Sequence, residues 1–204
     1  MNIPELPRAT LITEPGPEPS LMKRHSISIA LVIAGMVAAT QPCLAETANT
    51  WFDSGFSKHQ AGELKEAVRL YSKAIESDDK FVMAYQMRAA AWQKLRQYAK
   101  AIDDYTMVIS IGEPSFKAVG YLNRGIVKNM TGHYSEAIPD FNMAISIDRF
   151  MGPAYFHRAI ARSKTGDPEG NLNDFIQAAK LGDQDAERWL DEHNPGWRQN
   201  RGRP

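Results

Sequence analysis

Ala101-Ile102-Asp103-Asp104-Tyr105-Thr106-Met107-Val108-Ile109 is the stretch that decides the fold, because the chain repeats it. Three other segments align with it: Ala67-Val68-Arg69-Leu70-Tyr71-Ser72-Lys73-Ala74-Ile75, Ala137-Ile138-Pro139-Asp140-Phe141-Asn142-Met143-Ala144-Ile145, and Asn171-Leu172-Asn173-Asp174-Phe175-Ile176-Gln177-Ala178-Ala179. Each has an aromatic residue four places after its first residue and a small or β-branched residue three further on. Successive segments lie 34, 36 and 34 residues apart. A fixed period of this length is the mark of a repeat architecture.

A second set of matches lies upstream. Gly62, Gly132 and Gly166 stand five residues before their segments, and Arg96 takes that place in the second repeat. Further back come Tyr85-x-x-Arg88-Ala89, Tyr121-x-x-Arg124-Gly125 and Tyr155-x-x-Arg158-Ala159, with Trp51-x-x-Ser54-Gly55 in the first repeat. Apolar spacing of three and four in both halves predicts two amphipathic helices per unit, joined at the glycine. Small residues (Gly55, Ala89, Gly125, Ala159) let the first helix approach the second. The aromatics Tyr71, Tyr105, Phe141 and Phe175 fill the space between units. One helical hairpin cannot bury its face alone, so the units must stack into an all-α solenoid.

This pattern resembles the tetratricopeptide repeat family over residues 48–185, and the resemblance implies a right-handed solenoid of helix-turn-helix units. The four units are read as 48–81, 82–117, 118–151 and 152–185. Two inserted residues fall around Gly112 to Lys117, which predicts a longer turn there. Pro139 enters its helix early, where a missing donor is tolerable near the first turn. Pro168 and Asn171 depart from the pattern, so the fourth unit is expected to pack less tightly. Residues 186–193 read as a polar-faced capping helix ended by Asn194-Pro195-Gly196. Residues 194–204 carry Arg198, Arg201 and Arg203 without an acid and read as a frayed, disordered basic tail.

The N-terminus is different in kind. Residues 1–21 hold five prolines and no apolar period, which reads as a disordered extension or, with Met22 as the true start, a misassigned one. Residues 22–45 have the layout of a secretory signal peptide. Lys23, Arg24 and His25 precede the apolar or small run Ile27 to Ala39, and Cys43-Leu44-Ala45 offers small residues for cleavage after Ala45. The run is short for a membrane span of about 20 residues. The expected location is therefore periplasmic or secreted, with an uncleaved signal anchor as the alternative and the membrane met only through that segment.

The 204 residues carry 24 basic and 24 acidic side chains. Three of each fall in the first 45 residues, which leaves 21 of each in 46–204, together with no cysteine. A balanced chain argues against nucleic acid as a partner, since duplex DNA is held through neutralised phosphates. The four histidines of this part, His59, His133, His157 and His193, have no i, i+4 pair, and no phosphate-cradling loop or nucleophile elbow is present. The chain is therefore read as not an enzyme, with no cofactor and no metal. Bound metal, or a deep polar pocket around His133 or His157, would revive catalysis.

Two candidate sites remain. Arg88, Arg124 and Arg158 recur at one repeat position, and Asp104, Asp140 and Asp174 recur at another. The first repeat lacks both and has Ser54 and Leu70 there. Joint presence and joint absence predict structural ion pairs, since a guanidinium fork holds a carboxylate bidentately. The alternative is an anion-binding ladder facing the groove. The family resemblance implies that first helices line a concave, peptide-binding groove. By repeat position that groove would present Phe52, Phe56, His59, Met83, Gln86, Gln93, Lys94, Leu122, Ile126, Asn129, Met130, Phe156, Ile160 and Lys164. Most are apolar, and only Lys94 and Lys164 are cationic, so a protein or peptide partner with hydrophobic anchors fits best. The chain thus reads as an exported scaffold or adaptor for cell-envelope assembly. The alternative is a self-associating structural module, a homodimer or one whose groove takes the Trp197 tail. N-terminal sequencing of the exported protein is expected to begin at Glu46; a chain that still contains residue 30 refutes cleavage.

Overall fold

The computed structural model describes residues 47–200. The readings of residues 1–45, of the cleavage site and of Arg201 and Arg203 lie outside the described residues. Among those residues the chain forms nine α-helices and no strand. The helices are α1 (Ala48–Gln60), α2 (Leu64–Ser77), α3 (Val82–Lys94), α4 (Tyr98–Ile111), α5 (Pro114–Met130), α6 (Tyr134–Ile147), α7 (Gly152–Thr165), α8 (Pro168–Lys180) and α9 (Gln184–His193), followed by a 3₁₀ turn at Trp197–Asn200. Four hairpins, α1–α2, α3–α4, α5–α6 and α7–α8, stack in chain order, and each helix packs on the next. The fold is an all-α solenoid of tetratricopeptide type.

The period arises from close contact. A Cβ placed on Gly55 would lie 2.9 Å from the ring of Tyr71, and one on Gly125 would lie 2.7 Å from Phe141. Ala89 and Ala159, at the same position, are fully buried. The aromatics thus sit beneath the first helix of their own unit, with Tyr71, Tyr105, Phe141 and Phe175 at most 2% exposed. First helices of successive units also touch one another, whereas successive second helices do not to that extent. The stack therefore curves, with the odd-numbered helices α1, α3, α5 and α7 on its inner side.

Each hairpin turn needs a left-handed backbone. Gly62, Gly132 and Gly166 have φ of 79°, 82° and 82°, and Arg96 is forced to 58° at the equivalent place. A side chain in that region crowds its own carbonyl.

Four expectations are corrected. The two inserted residues do not lengthen a turn: the α4–α5 connection is only Gly112-Glu113, and the insertion extends α5 to 17 residues. Pro114 explains this, because its ring presets φ for the first helical position and its missing N–H is not needed there. Pro139 is not in the first turn of its helix. It is the sixth residue of α6, which begins at Tyr134, so one internal hydrogen bond is absent. The fourth unit is not loosely filled. Buried Asn171 donates its Nδ2 to the Ala159 carbonyl at 3.2 Å, and Phe175 and Ala178 are buried. Both departures, Pro168 and Asn171, line a cleft at the edge of the unit with Leu172, Trp189 and His193. Finally, the tail is not frayed as far as it is described. Trp197 is 3% exposed and joins the core formed by Ala159, Phe175, Ala186 and Leu190. Its indole Nε1 donates to Asp191 Oδ1 at 2.8 Å, and Arg198 grips the same carboxylate at 2.9 and 2.7 Å. Trp197 therefore closes the end of the stack and does not enter the groove.

Arg96→Gly is expected to stabilise the protein by about 1 kcal/mol, a rise in Tm of roughly 2–4 °C, because it removes the left-handed strain at one turn. Thermal unfolding followed by circular dichroism measures it; an unchanged or lower Tm contradicts the strain.

Candidate functional site

The recurrent charges meet. Arg88 Nε and Nη2 donate to Asp104 Oδ2 and Oδ1, each at 2.8 Å. Arg124 holds Asp140 at 3.0 and 2.6 Å, and Arg158 holds Asp174 at 2.8 and 2.6 Å. Each pair joins the two helices of one unit bidentately. The three aspartates are buried, 5–7% exposed at the side chain.

The third edge of each guanidinium reaches into the preceding unit. Nη1 of Arg88 donates to Ser72 Oγ at 2.9 Å, that of Arg124 to Thr106 Oγ1 at 3.0 Å, and that of Arg158 to Asn142 Oδ1 at 2.6 Å. Each arginine thus bridges three helices. Three of its five N–H donors are used inside the protein and its side chain is only 14–19% exposed, so the geometry builds internal ties and not an anion ladder. The polar acceptor two places after the aspartate position is the part that sequence reading missed. Its signal was Ser72, which persists in the first unit although that unit lacks the pair, because it serves Arg88 of the next.

A second cation joins two of the three aspartates. Lys128 Nζ lies 2.9 Å from Asp140 Oδ2, and Arg162 Nη1 lies 2.8 Å from Asp174 Oδ2. Both stand one helical turn after the first arginine. In the second unit that position is Trp92, so Asp104 depends on Arg88.

The groove residues named from sequence divide into three groups along the inner helices. Phe56, Met83, Lys94, Met130 and Lys164 are exposed. Phe52, Gln86, Gln93, Leu122, Ile126, Phe156 and Ile160 are half-buried. Several of these carry structural contacts. The Phe52 ring lies 5.7 Å from Tyr71 and 5.1 Å from Phe81, and Leu122 and Ile126 pack on the core around Phe141.

His59 and Asn129 are corrected, because both are buried, 8% and 9% exposed. They occupy one repeat position, shared with Gln93, that turns toward the neighbouring helices. Asn129 Nδ2 donates to the His157 carbonyl of the next unit at 2.8 Å, and Gln93 Nε2 approaches Met130 Sδ at 3.4 Å. Gln93 Oε1 also accepts from the Tyr105 hydroxyl at 3.3 Å. These side chains tie unit to unit. His59 lies edge-on to Tyr71, and burial, with a smaller push from Lys94, lowers its pKa. Burial likewise lowers the pKa of His157, which sits between the rings of Phe141 and Phe156. Neither histidine stands in a polar pocket, and His133 is exposed, with Nδ1 2.9 Å from Thr131 Oγ1. Among the described residues no three potential metal ligands cluster, and no helix is long and apolar enough to cross a membrane.

The inner face does not end with α7. The capping helix α9 stands across from it, and the two helices enclose a cleft that includes Phe156, Ile160 and Lys164 from α7 and Trp189 from α9. The contribution of α9 was not legible, since its sequence lies outside the repeat.

The ion pairs should be unequal in effect. Arg88→Ala leaves Asp104 buried without a cation and is expected to cost about 3 kcal/mol. Arg124→Ala and Arg158→Ala are expected to cost less, because Lys128 and Arg162 remain on Asp140 and Asp174. Urea denaturation of the three variants checks the order, and equal losses contradict it.

No family model matches the chain. Among curated proteins it is similar to the human "Tetratricopeptide repeat protein 6", 27% identical over 103 residues, which is 50% of this chain and 19% of that protein. The chain therefore spans about a fifth of the length of that relative. Among solved structures it superimposes on MamA with a TM-score of 0.64 at 20% identity, covering 78% of this chain and 90% of the other. The TPR domain of Arabidopsis OM64 gives a TM-score of 0.54 at 24% identity, covering 58% and 96%. Identities this low speak to the fold alone, and the three similar proteins point to a tetratricopeptide-type solenoid.

Proposed function

We propose that this chain is an exported scaffold whose curved inner face holds a segment of a partner protein through apolar anchors, in the service of cell-envelope assembly or complex formation. The observation that carries the reading is the exposure of Phe56, Met83 and Met130, at 40%, 45% and 54%, on successive inner helices. Large apolar side chains that recur along the inner helices stay in water at a cost that a partner's apolar surface relieves. Methionine also adapts its shape to varied contacts. The ion pairs and inter-unit hydrogen bonds support the same reading, since they hold the face preformed and lower the ordering cost of binding. Export rests on the signal-like segment before Glu46. No chemical step is required of the protein.

The test uses the exposed trio, because Phe52 and Leu122 also pack the core. The variant Phe56→Ser, Met83→Ser, Met130→Ser is expected to melt like the wild type and to bind a partner captured from envelope extract at least about thirtyfold more weakly. A partner retained by the folded variant overturns the groove. Light scattering that finds a stable dimer, dissociated by the same variant, favours self-association instead.

A further inference from the structure

The cleft between α7 and α9 has a volume of about 450 Å³, within the range of roughly 300–1,000 Å³ found for ligand sites. Its floor is apolar, made of Phe156, Ile160, Phe175 and Trp189. The rings are held rigidly. Trp189 lies stacked between Phe175 at 4.0 Å and His193 at 4.5 Å, and Phe156 stands edge-on to Phe175 at 5.7 Å. A floor already fixed by stacking loses little freedom when it is covered.

The rim is charged on both walls. Asp185 and Arg188 of α9 answer each other at 3.3 Å. Lys164 of α7 and Glu192 of α9 are exposed at the rim, and neither has an ion-pair partner among the described residues. The cleft therefore offers one open positive and one open negative charge on facing walls above an apolar floor.

We infer that this cleft is the anchor subsite of the inner face. It takes one bulky aliphatic or aromatic side chain of a protein segment, flanked on one side by an acidic residue that meets Lys164 and on the other by a basic residue that meets Glu192. The inference rests on the reading of the inner face as a binding surface, and it assigns the capping helix a part in recognition. Opposite unpaired charges select the order of charges along the segment, and the apolar floor supplies the affinity.

The experiment selects a displayed library of random 12-residue peptides on the full chain and measures the winners by fluorescence polarisation. Three variants are compared, each checked by its melting curve. Lys164→Glu with Glu192→Lys reverses the rim at exposed positions. Ile160→Arg fills the floor. Phe56→Ser, Met83→Ser, Met130→Ser removes the central anchors. The winners are expected to carry a bulky apolar residue between an acid and a base. Rim reversal should weaken them about tenfold or more, and peptides with the acid and base exchanged should regain the loss. Ile160→Arg should abolish binding. Winners that need the central trio but bind the rim-reversed and Ile160→Arg proteins unchanged overturn the anchor subsite and leave the groove standing. No winners, or winners indifferent to all three variants, overturn both.

Discussion

No helical hairpin in this chain can cover its own apolar face, and the rest of the structure follows from that. Tyr71, Tyr105, Phe141 and Phe175 are at most 2% exposed in the stack. Tyr105 and Phe141 share cores with Val127 and Ala161 of the next unit, Phe175 shares one with α9, and each first helix comes near its own aromatic because Gly55, Ala89, Gly125 or Ala159 has little or no side chain at the crossing. Stacking leaves an open face at the end of the row. Here α9 covers it with Ala186 and Leu190, and Trp197 returns past the Asn194-Pro195-Gly196 break to complete the same core.

The polar order is a second layer laid on this packing. A buried aspartate is tolerable only when its charge is answered, and each guanidinium holds one bidentately while its Nη1 reaches the unit before. The pair within a unit and the bond between units are thus parts of one side chain's geometry. This accounts for both ends of the row. Ser72 is kept in a first unit that has no pair of its own. The equivalent place in the last unit is Ile176, which packs on the terminal core, and the position 34 residues after Arg158 is Glu192, so no arginine needs an acceptor there.

The inner surface is what this architecture leaves over. Along a first helix, adjacent residues meet different fates. The position of His59, Gln93 and Asn129 turns toward neighbouring helices and is spent on cohesion, whereas the position of Lys94, Met130 and Lys164 points outward. Rigid ties beneath and adaptable apolar side chains above suit a surface that recognises a partner without changing shape.

The sequence by itself determined the all-α class, the four units, the turn positions and the meeting of Arg88, Arg124 and Arg158 with their aspartates. All of these recur at a fixed period, so each copy corroborates the others, and the helical periodicity that orients them is local. The tertiary structure alone decided what occurs once or spans elements. The insertion at Gly112 became helix because Pro114 could begin one. His59 and Asn129 went inward although they sit on groove-facing helices. Trp197 folded back because Asp191 and a waiting core received it. These outcomes depend on which surfaces arrive together after the hairpins have stacked, and a repeat pattern read one unit at a time carries no record of that.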